Sequence, residues 1–212
     1  MKEFCKKVFS KEGLLKAFYS FIWVAVLVIA VDIISKWCVQ NNLLTEGTSV
    51  TLIPNFLHVT LIHNLGASFG MGSSGEIGWR IFWIIISVVL TAVIIFIYVK
   101  YHKKFTTLQM VSITLMIGGA FGNMIDRIFY WSNIVGFDGV IDWIDFQFGS
   151  VHFATFNVAD SCLVIGVLMI IIAEIVDAIK EVREKEKRGE YDLPPAIEKS
   201  VEKKDNADDK NK

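Results

Sequence analysis

The chain has 212 residues, of which 53% are hydrophobic, with 21 Lys and Arg against 22 Asp and Glu and a formal charge of -1. A mean hydropathy of +0.50 excludes an ordinary water-soluble domain of this length, and the near-zero charge hides a strong segregation by segment. Three cysteines (Cys5, Cys38, Cys162) show no pair or metal-binding spacing, and no two of the four histidines stand at i, i+4 ligand spacing. Cofactors and metals are therefore not expected.

A membrane-crossing helix needs about 20 mostly apolar residues. The first candidate, roughly Ala17 to Val39, follows Lys2, Lys6, Lys7, Lys11 and Lys16 and is interrupted by Asp32 and Lys36. Basic residues before an apolar run resemble a secretory signal, but no small-x-small site follows, so an uncleaved span is expected. The connection from Asn41 to Trp79 has no Lys or Arg. Within it Val50, Leu52 and Phe56 share one alternation parity and Leu57, Val59 and Leu61 the other, with Pro54-Asn55 between them. That pattern predicts a bent pair of short strands, a small β platform at the membrane surface, followed by a turn in "GASFGMGSSG".

The second span, Ile81 to Val99, carries no charge, and Lys100, Lys103 and Lys104 follow it. The third, Phe105 to Ile125, is uncharged too and runs into "GGAFGNMIDR", where Gly118, Gly119, Ala120 and Gly122 allow close helix approach. The next connection holds Arg127 as its sole Lys or Arg, and the fourth span runs from Phe153 to Ala178 with Asp160 near its start. Short cytoplasmic segments carry the excess of Lys and Arg. Both termini and the middle link are therefore expected inside, and the two longer connections outside. Residues 1–180 form the membrane domain in this reading. Residues 181–212 form a charged cytoplasmic tail, disordered after about Gly189.

Ionisable groups at membrane depth are costly and usually face a protein interior or a cavity. Here Asp32, Lys36, Arg80, Asp126, Arg127, Asp138, Asp142, Asp145 and Asp160 all gather at the outer face. A transporter would need polar groups along a path through spans two and three, which are absent. A non-enzymatic scaffold would use the aspartates as structural ion pairs. Asp32 and Lys36, four apart on one helix face, suit such a pair, and Asp126 and Arg127 are expected as supports. Asp160 and a carboxylate of "GVIDWIDF" are then the reactive candidates. Two close carboxyls share one proton, so one can act as base on a water while the other donates to a scissile carbonyl or departing amine. Ser161 has no Lys or His at helical spacing to activate it.

The motifs "VDIISK", "HNLGASFG", "GGAFGNMIDR", "GVIDWIDF" and "FNVADSCLVIG", in this order over Val31 to Gly166, resemble those of the bacterial lipoprotein signal peptidases, the type II membrane aspartyl peptidases. The resemblance implies a multi-pass enzyme of the bacterial cytoplasmic membrane with its site at the outer face. It implies prolipoprotein substrates cut before a diacylglyceryl-modified cysteine, contact with membrane lipids, and inhibition by globomycin-type peptides. No nucleic-acid partner is implied. The family's N-x-A-D motif places one catalytic aspartate at Asp160, and its V-[VI]-D-F-I-D-F run places the other at Asp142. Its supporting polar residues fall on Asp32, Lys36, Asn64, Asn123, Asp126, Arg127 and Asn157. Trp143 stands where Phe is usual, Ser68 where Ala is usual, and the spacer after Arg127 is longer than typical. Asp145-Phe146 also reads as an Asp-Phe pair, leaving Asp145 as the alternative, but the seven-residue match favours Asp142.

Overall fold

The computed structural model describes residues 20–43, 45, 47–66, 77–129, 139–149 and 151–188. The basic N-terminus, the "GASFGMGSSG" turn after Gly66, most of the long spacer and the tail beyond residue 188 lie outside the described residues.

Four helices are long and apolar enough to cross a membrane. They are α1 (Ile22–Cys38), α2 (Ile77–Tyr101), α3 (Thr107–Phe129) and α4 (Val158–Lys187). A four-stranded antiparallel sheet accompanies them, in the order β1 (Ser49–Ile53), β2 (Leu57–Asn64), β3 (Val140–Phe148) and β4 (Val151–His152). The expectation of an α-helical membrane protein with four spans and a small β platform therefore holds. The chain divides into two compact units, residues 1–170 and 171–212. Within the second, the described part continues α4 as a charged helix whose exposed pairs include Lys185–Glu181 at 2.7 Å.

The first unit is organised around α3. Its buried side includes Met110, Ile113 and Ile117, which pack with Ala25 of α1 and Tyr98 of α2. By contrast α2 exposes Ile85, Val88, Val89, Val93 and Phe96, the pattern of a helix bathed in lipid. The small residues of α3 make close packing possible. A methyl group on Gly118 would lie 2.7 Å from Val28 Cβ, one on Gly122 would lie 2.6 Å from Asp32 Oδ2, and one on Gly119 would strike the Ala159 carbonyl. The glycines thus let α1 and the start of α4 approach α3 at the level of the ionisable residues.

The β1–β2 hairpin turns at Pro54-Asn55 as expected, with Asn55 in the left-handed region at φ 57°. Two boundaries differ from the sequence reading. "VIDWIDFQF", part of the connection after the third span, is a strand that pairs with β2 over Val140 to Phe146. Its two aspartates fall on opposite parities and conceal the alternation. The fourth helix begins at Val158 and not at Phe153. The apolar residues before it are drawn into the sheet, where the Phe156 carbonyl accepts the Trp143 and Ile144 N–H groups. The register of β2 against β3 shifts between Val59 and Ile62, where β2 advances three residues against two in β3. Without that extra residue every side chain beyond it would face the other way, Asn64 included.

Candidate active site

Asp160 sits in the first turn of α4. Asn157 is the residue before that helix, and its Oδ1 accepts the Asp160 backbone N–H at 2.9 Å. In return the Asn157 backbone N–H donates to Asp160 Oδ2 at 3.3 Å. This reciprocal arrangement is a capping box, which satisfies orphan donors at a helix start. A helix N-terminus also suits an anion electrostatically. Asn123 of α3 completes the environment by donating from Nδ2 to Asp160 Oδ1 at 2.7 Å.

Asp142 lies in β3 and is 3% exposed. Asn157 Nδ2 donates to its Oδ1 at 2.7 Å, and Asn64 Nδ2 donates to its Oδ2 at 3.0 Å. Asn157 thus touches both carboxylates, through its amide nitrogen on one and through the cap on the other. Burial, and then the nearby Asp160 carboxylate, push the Asp142 carboxyl up to about 7; the hydrogen bonds from Asn64 and Asn157 oppose the rise. Near neutral pH such a group holds a proton part of the time, as an acid catalyst must.

Asp145, the alternative from the sequence, has different neighbours. Successive side chains of a strand point to opposite faces, so Asp142 and Asp145, three apart, diverge. Asp145 Oδ2 accepts hydrogen bonds from Thr60 Oγ1 at 2.8 Å and from Gln147 Nε2 at 2.7 Å. Among the described residues neither partner hydrogen-bonds to Asp160, and the Asp145 carboxylate is engaged on its own face of the sheet.

Beneath the two candidates lies a buried charge cluster. Lys36 Nζ is 2.7 Å from Asp32 Oδ2 and 2.7 Å from Asp126 Oδ2, and it donates to Asn123 Oδ1 at 3.3 Å. Each carboxylate has a second task. Asp32 Oδ1 accepts the Ala159 N–H at 2.9 Å, and Asp126 Oδ2 accepts the Ile141 N–H at 3.3 Å. Ala159 and Ile141 immediately precede Asp160 and Asp142. One lysine therefore ties α1 and α3 to the backbone just before each candidate. Removing one partner of such a buried set typically costs about 3–5 kcal/mol, because an uncompensated charge is left behind.

Eight of the nine residues expected at the site form this connected network. Arg127 is set apart from the others. Its Nη2 donates to the Gly66 carbonyl at 3.2 Å, and Gly66 in turn donates its N–H to Asn64 Oδ1 at 3.0 Å. Arg127 also lines a small open cleft, with Asn64, Arg80, Trp83 and Ile84 among the other walls. The sequence marked Arg80 as a charge opening the second span but assigned it no place at the site, and Trp83 was not singled out. Their neighbourhood depends on the start of α2 meeting the end of α3, which no local pattern reveals. Ser161 spends its hydroxyl on the Asn157 carbonyl at 2.9 Å. Among the described residues no group of three or more His, Cys, Asp and Glu is placed to hold a metal ion.

Residues 24–176 match the family model described as signal peptidase (SPase) II. A lipoprotein signal peptidase of Coxiella burnetii is 35% identical over 157 residues, covering 74% of this chain and 90% of that protein. A bacterial membrane enzyme solved by the in meso method at 2.3 Å resolution is similar with a TM-score of 0.60 and 34% identity, over 74% of this chain and 88% of that one. A second such structure, at 1.9 Å resolution, gives a TM-score of 0.59 and 33% identity over 72% of this chain and 90% of that one.

Proposed function

The chain belongs to the signal peptidase II family, and from that premise we propose that Asp142 and Asp160 are the dyad through which it cleaves. Membership makes it an aspartic endopeptidase of the membrane that removes signal peptides from prolipoproteins. The observation that carries the assignment of the dyad is the bridge through Asn157, which donates to Asp142 Oδ1 at 2.7 Å and caps the helix bearing Asp160.

The two carboxyls hold one water and share one proton, which rests mainly on Asp142, the carboxyl raised to about 7. Asp160, as carboxylate, takes a proton from the water as its oxygen attacks the scissile carbonyl carbon. Asp142 gives its proton to the carbonyl oxygen. Collapse of the tetrahedral intermediate breaks the C–N bond: Asp142 takes back a proton from one hydroxyl as the carbonyl re-forms, and the proton held by Asp160 passes to the departing amine. No covalent enzyme intermediate forms. Asn64, Asn123 and Asn157 orient the carboxylates, while Asp32, Lys36 and Asp126 fix the backbone beneath them, and Arg127 borders the cleft beside Asn64.

The substrate presents a diacylglyceryl-modified cysteine, with its acyl chains in the bilayer and its peptide across the dyad. Surrounding membrane lipids complete the groove, and globomycin-type peptides occupy the same place. The enzyme sits in the bacterial cytoplasmic membrane with both termini inside and the dyad at the outer face, and residues 1–180 form the peptidase domain. Supporting this orientation, Lys100, Lys103 and Lys104 lie at the opposite end of α2 from Arg80.

The test uses the purified full-length protein in detergent with a diacylated prolipoprotein and mass spectrometry of the products. The reading predicts a single cut that leaves the lipidated cysteine as the new N-terminus. Folded protein that releases no such product contradicts it.

A further inference from the structure

We infer that the cleft between the start of α2 and the end of α3 receives the ester carbonyl oxygens of the substrate's diacylglyceryl group, with Arg80 and Trp83 as the residues that bind them. The inference rests on the peptidase reading above and adds two substrate-binding residues to it.

The lining dictates the kind of ligand. Of its polar side chains, the Asn64 amide donates to Asp142 and accepts from Gly66, and Arg127 donates to the Gly66 carbonyl. The others are the guanidinium group of Arg80 and the indole of Trp83. These side chains donate hydrogen bonds and cannot accept them. The Trp83 Nε1 is shielded and, among the described residues, has no hydrogen-bond partner. A buried donor without an acceptor costs about 1–3 kcal/mol, and an acceptor arriving with the substrate would recover that cost. The occupant is therefore rich in acceptor oxygens and poor in donors.

The depth of the cleft narrows the choice. Arg80 and Trp83 lie in the first two turns of α2. Trp79 and Phe82 beside them are exposed, and both rings pack against Trp83, with centroids at 6.5 and 5.1 Å. Aromatic side chains concentrate where headgroups meet acyl chains. Beyond this belt α2 exposes Ile85, Val88 and Val89, which suit the hydrocarbon region. A diacylglyceryl group anchored by its chains holds its two ester carbonyls at the belt. The order along the protein is cleft, Asn64, Asp142. The order along the substrate is ester carbonyls, cysteine, scissile bond. The two run in parallel, and Asn64 stands at the junction.

The experiment compares two synthetic prolipopeptides that differ only in the glyceryl linkage, diacyl ester against dialkyl ether, which lacks the carbonyl oxygens. For the wild-type enzyme the ether substrate is expected to show a KM roughly tenfold or more higher, with kcat unchanged, the size set by charge-assisted hydrogen bonds. Arg80→Gln raises the KM of the ester substrate most of the way to that of the ether and leaves the ether unaffected. Trp83→Phe does the same to a smaller extent, and Arg80→Lys recovers part of the loss. Equal KM values for ester and ether in the wild type would overturn the inference. So would an Arg80→Gln loss shared equally by both substrates, which points to folding or to the peptide. A loss that instead follows the anionic phospholipid content of the micelle assigns the cleft to a lipid phosphate and overturns it too. Failure of the wild type to cut either substrate strikes the peptidase reading itself, so the two failures are distinguishable.

Discussion

Asp142 and Asp160 differ in their surroundings more than in their chemistry. Asp160 sits in the first turn of a helix capped by Asn157; its carboxylate accepts two hydrogen bonds and its backbone N–H donates a third. Asp142 lies deep in the sheet, and burial together with the charge of Asp160 lifts its carboxyl to about 7. Such a pair titrates in macroscopic steps that belong to both members, and the mechanism requires the singly protonated form. Below about pH 7 the shared proton is in place; as pH rises through that value it is lost. The expected profile of kcat/KM on a diacylated substrate therefore falls above about pH 7, approaching tenfold per pH unit. Asn64 donates to Asp142 and favours its ionised form, so Asn64→Ala moves the falling limb to higher pH. A rate that keeps rising between pH 7 and 9 is the contrary result. The identities of these residues were legible in short motifs, because acid, amide and glycine stand at spacings that only a few families use. Their distinct roles were not, since burial and neighbouring charge arise from segments far apart in the chain.

At the scale of elements, the small residues of α3 decide how closely α1 and α4 can approach it. A methyl group at position 122 would sit 2.6 Å from Asp32 Oδ2 and 3.1 Å from Ala159 Cβ. The displaced carboxylate is the one that bridges Lys36 and the Ala159 N–H. Gly122→Ala is thus expected to destabilise by about 1–3 kcal/mol through overpacking. Thermal unfolding in detergent measures this, with activity falling alongside as Asp160 shifts; an unchanged Tm would show that the contact relaxes freely. The glycine cluster and the hairpin were readable locally. The β3 strand was not, because its aspartates interrupt both alternation parities. The start of α4 was overrun by hydropathy: Phe153 to Phe156 are as apolar as a span but pair with β3. The Asn157–Asp160 spacing is a capping signal that could have corrected that boundary.

For the whole molecule, hydropathy and the segregation of lysines were sufficient to count the four spans. That information is redundant along the chain, so it survives errors of several residues at each boundary. The cleft beside the dyad is invisible in the sequence for the opposite reason. It needs the start of α2, the end of α3 and the extra residue in β2 to coincide, and each is unremarked alone. The same convergence supports the central assignment: the fold gives Asp142 and Asp145 to different faces of one strand, and among the described residues Asp142 is the one linked through Asn157 to Asp160. The most direct measurement is cleavage of a diacylated prolipoprotein by the purified Asp142→Asn, Asp145→Asn and Asp160→Asn variants, each checked for folding. The account predicts that the Asp142 and Asp160 variants lose cleavage by about a thousandfold or more, as expected for loss of an acid or base, while the Asp145 variant keeps most of its activity. Loss in the Asp145 variant with an active Asp142 variant would contradict it.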